Sequence, residues 1–220
     1  MQKLHCAVLT VAMLLSLPLR GQQPKPTESG LPPLLPAERE IALAESAAPA
    51  EIAREATIYV LKRGGYVVAR EGTNGFSCLV VRSFPNTQEP ECLDAEGTAT
   101  ILPRILDAAR YVQEGLGREQ VRRKIAEGFL TGKYRAPRRA GISYMLSCEN
   151  YVPIDEEGTR VIHYPPHVMF FAPNLTDADL GKRPRDPWMP FVVGEGSPHA
   201  YIIVRVGEDP SAPRCPEPVS

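Results

Sequence analysis

The chain has 220 residues, 25 basic against 26 acidic, with 43% hydrophobic residues and five cysteines. So even a charge balance excludes a general nucleic-acid binder, which carries a pronounced basic excess. The length is enough for one domain with a core of its own.

Residues 1–21 have the form of a signal peptide. Lys3 gives a positive start, residues 7–17 are apolar, and cleavage is expected near Gly21. That apolar run is shorter than the roughly 20 residues a membrane-spanning helix needs, and none of that length follows. With Lys3 and Arg20 gone, 23 of the 25 basic residues remain against 26 acidic ones, a formal charge of −3. Residues 22–36 hold five prolines and are expected to form a disordered linker. A single domain is expected over residues 37–206 and a disordered, Pro-rich tail over 207–220.

Four cysteines survive cleavage: Cys78, Cys92, Cys148 and Cys215. An even number in an exported chain points to disulfides. Cys78 with Cys92 is the favoured pair because it closes a short loop, a bridge worth about 3 kcal/mol in the chain-entropy account. Cys148 with Cys215 is what remains.

A first helix is expected over residues 37–47, with Pro36 at its start. The run TIYVL at 57–61, the pair Gly64-Gly65 and the strand at 66–70 read as a hairpin. After a turn at Thr73-Asn74-Gly75, FSCLVVRS at 76–83 reads as the third strand of an antiparallel meander. Residues 83–97 read as a loop carrying Cys92. The longest helix begins near Thr100, with Ile101, Ile105, Ala109, Val112 and Leu116 in one apolar stripe ended by Gly115 and Gly117. A second helix covers 118–130, with Val121, Ile125 and Phe129 facing inward. Strands follow at 141–147, 168–171 and 200–206. Strands, then helices, then strands predict an α+β fold: one antiparallel sheet with helices packed on a single face.

The site candidates gather between residues 160 and 206. His163 and His167 bracket Tyr164-Pro165-Pro166. Four-residue spacing stacks two histidines on a helix, but two prolines forbid a helix interior, so no metal is expected there. His199, with Asp177, Asp179 or Glu195, offers a His/carboxylate alternative, a hydrolase-like site around His163, His167 and His199. The plain alternative is histidines that end strands and pack against prolines. Residues 173–198 form a long loop containing Arg183, Arg185 and Trp188, residue types that concentrate binding energy. Here the plain alternative is a loop that folds back to cap the core. Residues 118–139 hold eight basic residues against Glu119 and Glu127, and such runs are commonly a solvated helix face. No P-loop, no GxGxxG after a strand, no GxSxG and no CxxC occurs. These features favour a domain that binds a small ligand or a cell-envelope partner through the loop, with no cofactor. Its expected location is periplasmic or extracellular.

The runs GTNGFSCLV (72–80), KYRAP (133–137), GISYMLS (141–147), HYPPHVMFFAP (163–173) and PHAYIIV (198–204) resemble a family of uncharacterised exported bacterial proteins. The resemblance spans about residues 40–206. It implies a bacterial cell-envelope setting and assigns no catalytic residue.

Overall fold

The computed structural model describes residues 31–155, 158–181, 189–206 and Cys215. Strand β1 (Thr57–Lys62) turns back into β2 (Gly65–Arg70) through Gly64 and Gly65, at φ 92° and 128°. These left-handed values strain any residue with a Cβ, so the glycine pair makes the hairpin. The two strands are antiparallel, with Val60 opposite Val67. Strand β3 (Ser77–Val81) does not extend a meander. It lies on the other side of β1 and runs parallel to it, with Ile58 opposite Cys78. Residues 71–76 make the crossing by passing against the start of β1. Thr73 N donates to Glu55 O at 2.8 Å, and Thr57 N donates to Phe76 O at 2.9 Å. A Cβ on Gly72 would lie 2.2 Å from Thr57 N, so the chain passes this close only with glycine. Asn74 fixes the turn: its Oδ1 accepts from Phe76 N at 3.0 Å and its Nδ2 donates to Ile52 O at 2.8 Å.

Strand β4 (Glu89–Leu93) pairs antiparallel with β3 and sets Cys92 directly opposite Cys78, and the two are bonded. Residues 83–97 are therefore not one loop, and Cys92 is a strand residue. Pro90 misled the loop reading. It lies outside the two β4 residues that pair with β5 (Ile142–Met145), where a missing N–H is tolerated. A separate two-stranded sheet joins β6 (Tyr151–Pro153) to β7 (Val161–His163). Strands β8 (His167–Phe171), β9 (Phe191–Val193) and β10 (Tyr201–Arg205) complete the main sheet. Its order is β2-β1-β3-β4-β5-β8-β10-β9. A second disulfide joins Cys148 to Cys215.

The expected single antiparallel sheet with helices on one face is overturned. The eight-stranded sheet is mixed, and helices cover both of its faces. Alternation along β3 explains how. Cys78 and Val80 point to α1 (Ala37–Glu45), which packs Leu43 and Ala44 on them together with Ala47, Ala48 and, from the short α2 (Ala50–Ala53), Ala53. Leu79 points the other way, to a cluster of Leu93, Ile101, Leu102, Ile105 and Phe171. Its helical side comes from Ile101, which joins α3 (Ala95–Thr100) to α4 (Leu102–Gln113), and from Leu102 and Ile105 of α4. The unbroken apolar run of β3 is thus that of a strand buried on both faces. Asp94 starts α3 by accepting from Gly97 N at 2.8 Å through Oδ1, while its Oδ2 accepts from Ile142 N at 2.9 Å.

One buried carboxylate completes the closed face. The parallel β1–β3 ladder covers only Thr57 and Ile58, and farther along Leu61 N donates to Glu40 Oε1 at 3.0 Å. Burial raises the pKa of Glu40, opposed by the buried Arg82 guanidinium 3.7 Å from its Oε2 and by the Leu61 amide. Pro32 is buried, and Pro33 O accepts from Arg82 Nη1 at 2.8 Å, so residues 32–33 lie against the domain.

Candidate functional site

A cavity of about 930 Å³ opens on the α4 face, within the usual range of small-molecule sites. Helix α4 contributes Arg104, Ile105, Ala108, Ala109 and Val112 to its wall, and Leu116 follows just past the helix end. Helix α5 (Arg118–Leu130) contributes Val121, Ile125, Ala126 and Phe129. Tyr66 of β2 and Val81 of β3 form the sheet side, Phe84 and Pro85 close one end, and Ser197 to His199 close the other. The two helical stripes read from the sequence therefore part company. Ile101 enters the core, Ile105 packs in it and also reaches the cavity wall, and Val112, Val121 and Phe129 line the cavity.

The helices hold this shape by closing on each other. Tyr134 packs with Tyr111 and Ile125, and its hydroxyl donates to Asp107 Oδ2 at 2.7 Å. Gly128 leaves room for that ring, since a Cβ there would lie 2.2 Å from Tyr134 Cε2. Asp107 also meets Lys133 Nζ at 2.6 Å and Arg110 Nη2 at 2.8 Å. Burial pushes the Asp107 pKa up, but hydrogen bonds from Lys133, Arg110 and Tyr134 outweigh it and hold the carboxyl at about 2.

Among the described residues four arginines line the cavity, Arg82, Arg104, Arg118 and Arg122, and no acidic residue does. Three of them are engaged within the protein. Arg82 faces Glu40, Arg118 lies over the Phe84 ring at 4.3 Å, and Arg122 meets Glu119 at 3.8 Å. Arg104 makes no hydrogen bond and no ion pair among the described residues, and its Nε is enclosed without a partner. Its charge lowers the pKa of both Glu91 and His199. His199 is held at about 4, first by burial and then by that charge, so its imidazole is neutral at pH 7. The ring stacks on Phe129 at 5.1 Å with an 11° tilt, and its Nδ1 is enclosed without a partner, as is Ser197 Oγ. Beneath α4, burial raises the pKa of Glu89 to about 7, and Glu91 accepts from Ser143 Oγ at 2.8 Å.

The three histidines of the sequence reading have separate settings. His163 lies in β7, its Nε2 2.8 Å from Cys148 O and its ring against Tyr151. His167 begins β8 and is buried, its Nδ1 2.9 Å from Pro165 O and its ring edge-on to Tyr164. Burial holds His167 at about 4 despite the Pro165 carbonyl. These two share no partner with His199 among the described residues, where no group of three metal-ligating side chains occurs. Asp177 takes Val192 N at 2.6 Å and Asp179 takes Thr176 N at 2.9 Å, so both shape the loop. Arg183, Arg185 and Trp188 lie outside the described residues.

Comparison with known proteins adds no name: no family model, curated protein or solved structure matches the chain. These comparisons show no family of exported proteins, and no residue takes a role from a relative. Among the described residues no helix is long and apolar enough to cross a membrane. The two disulfides fit a chain folded in an oxidising compartment.

Arg104 was the residue sequence reasoning missed. Its signal was present: it heads the row Arg104, Ala108, Val112, in which i and i+4 positions share one face. A lone arginine at the head of an otherwise apolar row marks a charge carried to the edge of an apolar surface.

Proposed function

We propose that this protein is an exported ligand-binding domain, acting in the periplasm or outside the cell, whose ligand occupies the cavity between α4, α5 and the β2–β3 side of the sheet. The observation that carries the reading is the size of an apolar cavity walled by the inward faces of two amphipathic helices. A folded domain closes such faces on each other unless something else is to be held between them. The seat of binding moves from the loop at 173–198 to the cavity, to which that loop contributes Ser197 and Pro198. The hydrolase-like alternative gains no support from shared contacts among His163, His167 and His199.

Nile red, a neutral apolar dye, tests the reading. The mature, disulfide-bonded protein should bind about one equivalent with a blue-shifted emission. Ala109→Trp fills the cavity and should abolish binding while leaving circular dichroism unchanged. Equal dye binding by that folded variant would remove the cavity as the site.

A further inference from the structure

We infer that the ligand is a single-chain amphiphile with a carboxylate head, its acyl chain lying along α4 and α5 and its head meeting Arg104. This rests on the cavity reading above and names the ligand's chemistry. Two independent features lead to it. The first is shape and polarity: Ala108, Ala109, Val112, Val121 and Ile125 present hydrocarbon along the cavity. From Arg104 to Val112 the α4 wall rises about 12 Å, at 1.5 Å per residue. A flexible alkyl chain follows such a wall and gains roughly 0.8 kcal/mol per buried methylene.

The second feature is charge. Among the described residues the lining holds four arginines and no carboxylate, which selects against cationic ligands and for anionic ones. Among the four, Arg104 is the one with no hydrogen bond or ion pair to a described residue. It sits in the first turn of α4, at the end of the cavity closed by His199 and Ser197. Its charge acts on the buried Glu91 without a hydrogen bond or ion pair to it, and its planar fork matches a carboxylate through two parallel hydrogen bonds. A phosphate head carries up to two charges and would call for a second uncommitted cation at this end. The nearby imidazole is neutral at pH 7 and does not supply that charge. At the opposite end Arg118 lies over the Phe84 ring, and Phe84 and Pro85 close the cavity there.

Isothermal titration of the mature chain with dodecanoate, dodecanol and dodecyl phosphate tests the inference. Wild type should bind dodecanoate about tenfold or more tightly than dodecanol, a difference of about 1.4 kcal/mol. R104Q should erase that preference, bringing dodecanoate to the affinity of dodecanol. Arg104→Lys, which keeps the charge and loses the fork, should reduce the preference several-fold, and it carries the test should R104Q fail to fold. Equal binding of acid and alcohol by wild type, or an undiminished preference in either variant, would overturn the carboxylate head and leave the cavity reading standing. Dodecyl phosphate binding tenfold more tightly than dodecanoate would overturn it in favour of a phosphate head. Absence of binding by every probe, together with no Nile red binding, would bring down the cavity reading itself.

Discussion

The two faces of the main sheet are packed by helices of different character. On one, α1, α2 and the turn between them present Ala44, Ala47, Ala48 and Ala53 to Ile58, Cys78, Val80 and Cys92, with Leu43 among them. Alanines let a helix lie close to a sheet, and Ala44 and Ala47 are fully buried there. On the other, contact is complete around α3 and the first turn of α4, at Leu79, Leu93, Ile101 and Ile105. Farther along, α4 and α5 fasten to each other through Tyr134 and Asp107 and enclose space between themselves and the sheet. One layer serves stability, and the other exchanges part of its packing for volume.

The largest test of this difference truncates one aliphatic side chain on each side to alanine. Leu43 is 1% exposed, so Leu43→Ala should cost about 3 kcal/mol, as buried leucines do when they leave a cavity behind. Val112 lines space that is already open, so Val112→Ala should cost less than about 1 kcal/mol. Urea denaturation of both variants measures this. Equal losses would show that the α4 face is as fully packed as the α1 face.

Next in size is acid sensitivity, which separates the enclosed His167 from the half-buried His199. His167 has its pKa lowered from 6.5 to about 4 by burial. Between those values the unfolded chain binds a proton that the folded chain refuses, so stability falls as pH drops from 6.5 to about 4 and levels off below. The loss is on the order of 3 kcal/mol. His167→Gln should flatten most of that slope. His199→Gln should flatten it less, because solvent reaching the cavity wall screens its charge. An unchanged slope in His167→Gln would mean that this ring is not kept neutral by the fold.

How much of this could be read in the residues varies with the range of the interaction that decides it. The glycine hairpin, the helix stripes and the Cys78–Cys92 pair are local patterns, and each appears in the structure. The place of β3 was not legible, because it depends on Gly72 passing against Thr57, fifteen residues away, and local turn signals favour a meander. Strand β4 was hidden by Pro90 and by two glutamates that turn to the α4 side of the sheet, where burial raises both pKa values. The cavity was hidden for a different reason. An apolar stripe has the same spacing whether it meets a core or lines a pocket, and only the tertiary placement of α5 distinguishes them.

The smallest expected effect sharpens the comparison at the clasp. Tyr134→Phe keeps the ring beside Gly128 and removes one hydrogen bond, 2.7 Å from Oη to Asp107 Oδ2. The loss should be about 1 kcal/mol, because Lys133 and Arg110 still hold the carboxylate. Asp107 has its folded pKa lowered from 3.8 to about 2, so the clasp's contribution is complete above 3.8 and fades as pH falls toward 2. The cost of the substitution should therefore be constant near neutral pH and shrink only in that acid window. Its location matters more than its size. Tyr134 ties α5 to α4 and touches nothing on the α1 side, so amide exchange in α5 should quicken while α1 keeps its protection. Equal quickening in both helices would mean that the two faces open as one unit, with no independent freedom for the wall of the cavity to admit a ligand.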